Sequence, residues 1–203
     1  CTLSTRSTIG IKRSDCTITK IYCHSDGYLE WNGAILQKNY NTAEKVERLL
    51  KLGNLSCLGP EIKPDDPADW GIDKTRDSRF CKTYTSRGEE WGQVAPEQME
   101  EYNYLFDEEE AAWIVARETY KKPGKTAKSI GIDAKIYDCY ETDYLIDLLA
   151  KIPQKSWDGM KPRDENDWGV TLDECMAAAR EARDPVNERK RREYDAYYRA
   201  YCD

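Results

Sequence analysis

Cys23, His24, Asp26 and Tyr28 stand within six consecutive positions of Ile21-Tyr22-Cys23-His24-Ser25-Asp26-Gly27-Tyr28, and His24 is the only histidine of the chain. On an extended segment alternate side chains share a face, which puts His24 beside Asp26 in a pair able to pass a proton. Cys23 then points to the opposite face and is no thiol partner for His24. No nucleophile motif surrounds a serine or a cysteine. No catalytic residue is therefore assigned: His24, Asp26 and Tyr28 stand as a ligand-binding set, with a hydrogen-bonded turn histidine as the simpler account. Zinc is disfavoured, because Cys23-His24 is the only close Cys/His pair and further ligands would come from distant cysteines.

Acidic and aromatic side chains form the other constellations. Residues 63–72 recur at 161–170 as an ungapped K-P-x-D-x-x-D-W-G-[IV] match. Asp65, Asp66 and Asp69, with Asp164, Glu165 and Asp167, offer oxygen ligands, but the segments lack the glycine and the terminal bidentate acid of a calcium loop. No metal is assigned, and Trp70 and Trp168 read as hydrophobic plugs or as partner contacts. Tyr102 and Tyr104 precede the run Asp107, Glu108, Glu109, Glu110, and residues 61–118 hold 16 acids against 7 Lys or Arg, a net of −9. Such a surface can imitate the phosphate pattern of nucleic acid, although a solvated face is its ordinary role. Arg189, Lys190, Arg191 and Arg192 precede Tyr194, Tyr197, Tyr198 and Tyr201, which have the spacing of a helix packing face. No G-x-G-x-x-G or G-K-[ST] segment is present, and no cofactor is assigned.

The elements that carry these groups follow from periodicity and caps. Ile9 and Ile11, then residues 17–22, alternate around a Ser14-Asp15 turn, which predicts an antiparallel hairpin delivering His24 and Asp26 to its end. Asn41-Thr42-Ala43-Glu44 has capping-box spacing, with Asn41 as the cap of a helix that buries Val46, Leu49 and Leu50 and stops at Gly53. A short strand is expected over 80–84. A second hairpin, 102–106 with 113–116, carries the acidic run at an exposed tip. Lys121-Lys122-Pro123-Gly124-Lys125 is a basic connector, after which residues 129–132 and 135–137 echo 8–11 and 20–22. A helix over 142–152 ends at Pro153, Thr171 and Glu174 form a second capping box, and Asp184-Pro185 restarts the terminal helix.

The domain reading is an α+β unit over 1–120, a linker over 121–128 and a mostly helical, partly repeated unit over 129–203. The fold class expected is α+β, with a small antiparallel sheet, flanking helices and a mostly helical C-terminal part.

Bulk properties narrow the partners. With 203 residues, 39% hydrophobic residues and a formal net charge of −7, the chain can bury a core but has no general affinity for nucleic acid or anionic membranes, except at Arg189 to Arg192. No apolar run reaches membrane-spanning length. The apolar content leans on 14 Tyr and 6 Trp against 2 Phe, a composition suited to contact surfaces and to self-association as a homo-oligomer. Eight cysteines without a C-x-x-C pair read as free thiols.

The segments Ser4-Thr5-Arg6-Ser7-Thr8-Ile9-Gly10-Ile11 and Ile21-Tyr22-Cys23-His24-Ser25-Asp26-Gly27-Tyr28 resemble the opening of a family of small phage and prophage proteins. Residues 101–107, running on to Trp113, resemble a later hairpin of the same proteins. The resemblance implies a phage-type accessory protein acting in the bacterial cytoplasm, and it brings no established activity. The function expected is therefore non-enzymatic: inhibition of a bacterial defence or nucleic-acid-processing protein through Asp107, Glu108, Glu109, Glu110, Tyr102, Tyr104, Trp70 and Trp168. The alternative is a small-ligand-sequestering module or enzyme centred on His24, Asp26 and Tyr28.

Overall fold

Alternation of Ile9 and Ile11 with Thr8, Gly10 and Lys12 divides β1 (Ser7–Lys12) into an apolar and a polar face, and the division continues in β2 (Ile18–Cys23). In the computed structural model the two pair antiparallel, with Ile9 opposite Ile21 and Gly10 opposite Lys20. Asp15 closes their turn by accepting hydrogen bonds from the Thr17 amide and hydroxyl at 2.9 and 2.6 Å. The structure describes residues 4–62, 79–84, 94–95, 97–118, 140–162 and 168–202.

After β2 come a π-helical turn (Leu29–Gly33), α1 (Ala34–Asn39), α2 (Ala43–Leu50) and β3 (Leu55–Cys57), which returns parallel to β2. A parallel return needs a crossover, and here helices supply it. The cap of α2 is Thr42, whose hydroxyl accepts from the Lys45 amide at 3.3 Å. Asn41, the expected cap, is buried; its amide donates to the Ala178 carbonyl at 3.3 Å. A tertiary contact thus takes the better capping side chain and leaves the role to its neighbour. Gly53, at φ 71, turns the chain after α2 as expected.

β4 (Lys82–Thr83), β5 (Tyr102–Asp107), β6 (Ala112–Glu118) and β7 (Tyr140–Tyr144) complete a seven-stranded sheet in the order β4-β3-β2-β1-β5-β6-β7. The fold is α+β, but the sheet is large and mixed instead of small and antiparallel. Both hairpins are antiparallel as read from their turns, whereas β1 runs parallel to β5. That pairing joins distant segments, and no local turn encodes it.

α3 (Leu145–Leu149) keeps only the middle of the helix expected over 142–152. Residues 140–144 pair with the β6 edge instead, because an open strand edge outcompetes one helical turn for backbone hydrogen bonds. α4 (Gln154–Gly159) precedes α5 (Leu172–Cys202). The capping box of α5 is reciprocal: the Thr171 amide donates to Glu174 Oε2 at 2.9 Å, and the Glu174 amide donates to Thr171 Oγ1 at 3.3 Å. α5 runs through Pro185 without the expected restart. Glu181 is exposed, so the carbonyl deprived of a donor by Pro185 has water to bond.

The core lies between the helices and one sheet face. Ile9, Ile11, Ile21, Tyr104, Phe106, Trp113 and Val115 meet Ile35, Leu36, Val46, Leu49, Leu145, Leu149 and Cys175 there. The C-terminal elements share this core. β7 extends the sheet, and α5 is fastened to α1 by the Lys38–Glu174 ion pair at 3.0 Å. The connector over 121–128, the echo over 129–137, the 63–72 loop with Trp70, and residues 163–167 lie outside the described residues. No described helix is long and apolar enough to cross a membrane.

Candidate functional site

The residues around His24 are held by the chain that enters β1. Gly27 donates its amide to the Thr5 carbonyl at 2.9 Å and accepts from the buried Tyr104 hydroxyl at 2.7 Å. A Cβ on Gly27 would lie 2.8 Å from the Arg6 carbonyl carbon, so glycine is what lets the two segments touch. Asn32 donates to Ser7 Oγ at 3.2 Å and to the Ser25 carbonyl at 3.2 Å, while its Oδ1 is buried without a partner. Cys23 lies in the same buried knot, and burial pushes its thiol up to about 12. Through these contacts residues 4–8 and 21–28 form one connected unit.

His24 is paired with Tyr22. The Tyr22 hydroxyl lies 2.8 Å from His24 Nδ1, on the same strand face two positions earlier. Burial, then Tyr84, raises the Tyr22 phenol above its ordinary range, against the lowering influence of Arg6, which also hydrogen-bonds it. An arginine can only donate. The Tyr22–His24 bond can run either way, the phenol donating to Nδ1 or Nδ1–H donating to the phenol oxygen, and the tautomer of the imidazole decides which.

Asp26 leaves the strand at φ 58, and its carbonyl accepts from the Asn32 amide at 3.2 Å. Among the described residues no hydrogen bond joins it to His24. Tyr28 begins the π-helical turn, and burial, followed by Asp26 and Glu30, raises its phenol. The arrangement around His24 orients the imidazole through Tyr22.

The sheet face turned away from the core carries the second feature. Thr8, Ile18, Lys20, Asn103, Leu105, Ile114, Ala116 and Thr142 are the strand residues that alternate with the core set. A strap, described over residues 94–95 and 97–100, crosses this face. The Val94 amide donates to the Lys20 carbonyl at 3.1 Å, and Asn103 fastens the far end by accepting from the Glu100 amide at 2.9 Å and donating to its carbonyl at 2.7 Å. Thr8 Oγ1 donates to Asn103 Oδ1 at 2.9 Å.

With the strap's Met99, these strand residues line a cavity of about 250 Å³. Lys20 is buried there, 5% exposed, and its Nζ donates to the Gln98 carbonyl at 2.5 Å. Gly10 opposite it has no side chain, and a Cβ would sit 2.6 Å from Lys20 Cγ, so the lysine stem lies across β1. Burial lowers the Lys20 ammonium from its ordinary range, while Glu97 and Glu100 oppose the shift.

The acidic tip is less free than its composition implies. Asp107, expected at an exposed tip, is 6% exposed; it accepts from Lys12 Nζ at 3.1 Å and from the Glu109 and Glu110 amides at 3.0 and 3.2 Å. Asparagine-type caps of this kind follow from a short carboxylate placed before a turn. Glu108 accepts from the Ser14 amide at 3.0 Å, and Glu110 pairs with Lys190. Glu109 is the exposed member.

Tyr104 is buried and stacks with half-buried Tyr102 at 6.3 Å between ring centres. Trp168 packs edge-on against Trp31 at 5.1 Å, and Lys38 Nζ donates to the Gly169 carbonyl at 2.9 Å. On α5, Arg189 pairs with Glu193 and Arg192 with Glu188, and the four tyrosines are exposed.

Sequence reasoning missed Tyr22, Lys20, Thr8 and Asn103. The two-residue strand period around His24 already pointed to Tyr22. Nothing local marked Lys20, which reads as a solvent-facing strand residue until the strap covers it. No protein-family model, curated protein or solved structure matches this chain.

Proposed function

We propose that this chain is a phage-type accessory protein that captures a small molecule beneath the strap that carries Met99 and does not transform it. The cavity supports the reading. About 250 Å³ is held between an apolar strand face and a strap tied at both ends, with Lys20, Thr8, Asn103 and Thr142 as polar residues of its lining. A mostly apolar hollow with a few fixed polar groups is the usual form of a ligand site. Tyr22, His24 and Arg6 flank it through Tyr22, which stands opposite Thr8 in the ladder. The resemblance of residues 4–11 and 21–28 to phage proteins supports action inside a bacterium. Inhibition of a bacterial protein through the acidic surface has less to rest on, because Asp107, Glu108 and Glu110 are held by Lys12, Ser14 and Lys190.

The test exposes purified protein to a bacterial small-molecule extract, repurifies it and identifies released compounds by mass spectrometry, with Ile114→Trp as the cavity-filling control. A compound released by the wild type and absent from an equally folded Ile114→Trp is the expected result. A wild type that releases nothing sinks the capture reading.

A further inference from the structure

The polar side chains that line the cavity are spent on one another and on the strap. Asn103 uses every hydrogen-bonding position of its amide: Oδ1 accepts from Thr8 Oγ1 and from the Glu100 amide, each at 2.9 Å, and Nδ2 donates to the Glu100 and Ala116 carbonyls at 2.7 and 3.1 Å. Thr8 gives its proton to the first of these bonds. Lys20 Nζ donates to the Gln98 carbonyl at 2.5 Å, and Glu97 and Glu100 act on the same ammonium. The Tyr104 hydroxyl donates to the Gly27 carbonyl. Thr142 is exposed and so stands on the open side. The apolar lining is the reverse case. Ile18, Met99, Leu105, Ile114 and Ala116 are only half-buried, so apolar surface there still faces solvent.

We infer that the cavity takes a small, uncharged fused-ring molecule, held by apolar contact with Ile18, Met99, Leu105, Ile114 and Ala116 and by no ionic bond. The inference rests on the capture reading above and names its ligand class. Covering half-exposed apolar side chains drives such binding, in proportion to the area removed from water. Size follows from the volume: an apolar cavity of about 150 Å³ holds benzene, so about 250 Å³ suits a fused two-ring system. Charge follows from the committed lining. A carboxylate would reach Lys20 only by displacing the Gln98 carbonyl and loosening the strap, and an ammonium would meet Lys20 itself. Either ion would lose water without gaining a partner. A ligand hydroxyl turned to the open side by Thr142 keeps its water.

Naphthylmethanol, naphthoate and naphthylmethylammonium are the probes, measured by isothermal titration with the full chain; the larger pyrenylmethanol, followed by its own fluorescence, tests size. Naphthylmethanol is expected to bind at least about tenfold more tightly than either ion or pyrenylmethanol. Its binding should vanish in Ile114→Trp, with Ala116→Phe as the second cavity-filling variant if the first does not melt cooperatively. An ion that binds as tightly as naphthylmethanol overturns the uncharged class and leaves the capture reading standing. Pyrenylmethanol binding as tightly overturns the fused two-ring size in the same limited way. Undiminished naphthylmethanol binding by a folded, filled variant overturns the assignment to this cavity. If no probe binds, a compound recovered from the extract confines the failure to this ligand class. No probe bound and no compound recovered overturns both readings.

Discussion

Tyr22 and His24 show how one hydrogen bond decides what a histidine can offer. Where Nδ1 accepts from the Tyr22 hydroxyl the imidazole presents an Nε2 proton, and where Nδ1 donates to it Nε2 is the acceptor. Tyr22→Phe should therefore move the ¹⁵N resonance of Nδ1 and redistribute the tautomers. His24 is the only histidine, so the signal has one source. The accompanying stability loss should be about 1 kcal/mol, the net worth of one partly exposed hydrogen bond. Unchanged imidazole shifts would show that the pair does not set the tautomer. At this scale the strand period around His24 was legible beforehand, and Tyr22 obeys it. The expected His24–Asp26 pairing does not form among the described residues, because an aspartate at φ 58 has already left the strand whose two-residue period would align it.

Most elements obeyed self-contained local signals, the Asp184-Pro185 restart being the exception inside α5. The Ser14-Asp15 turn, the two hairpins, the stop at Gly53 and the box at Thr171 and Glu174 all involve neighbours within a few positions. The last of these makes a pH prediction. Burial tends to raise the Glu174 carboxyl, but hydrogen bonds from Lys38 and the Thr171 amide outweigh it, so its folded value lies below the unfolded 4.5. A depressed carboxyl contributes stability above the unfolded value and loses it as pH falls through the folded one. The stability gap between wild type and Glu174→Gln in urea melts should thus be present at neutral pH and shrink below about pH 4. A gap that stays constant to acid pH would show that the charge on Glu174 does not matter to α5. Signals failed where a distant partner competed: Asn41 gave up its cap to hold α5, and residues 140–144 became a sheet edge.

For the whole molecule, α5 divides into an anchored and a free half. Cys175, Ala178 and Ala179 are buried against the body, whereas residues 187–201 are exposed throughout. Removing residues 193–203 keeps the Lys190–Glu110 pair and should cost less than about 0.5 kcal/mol in a urea melt. A larger loss that grows with protein concentration would instead reveal the tyrosine stripe as a contact between copies. The amino-acid sequence by itself determined the hairpins, the Thr171–Glu174 capping box, the apolar faces and the α+β class, because each depends on side-chain period or on groups a few residues apart. Only the tertiary structure decided the parallel β1–β5 pairing, the mixed seven-stranded sheet and the burial of Lys20 and Asp107. Those outcomes rest on which strand edges and which polar groups find each other across long stretches of chain. Such long-range choices are made by the summed burial of the core and leave no mark at the positions they bury.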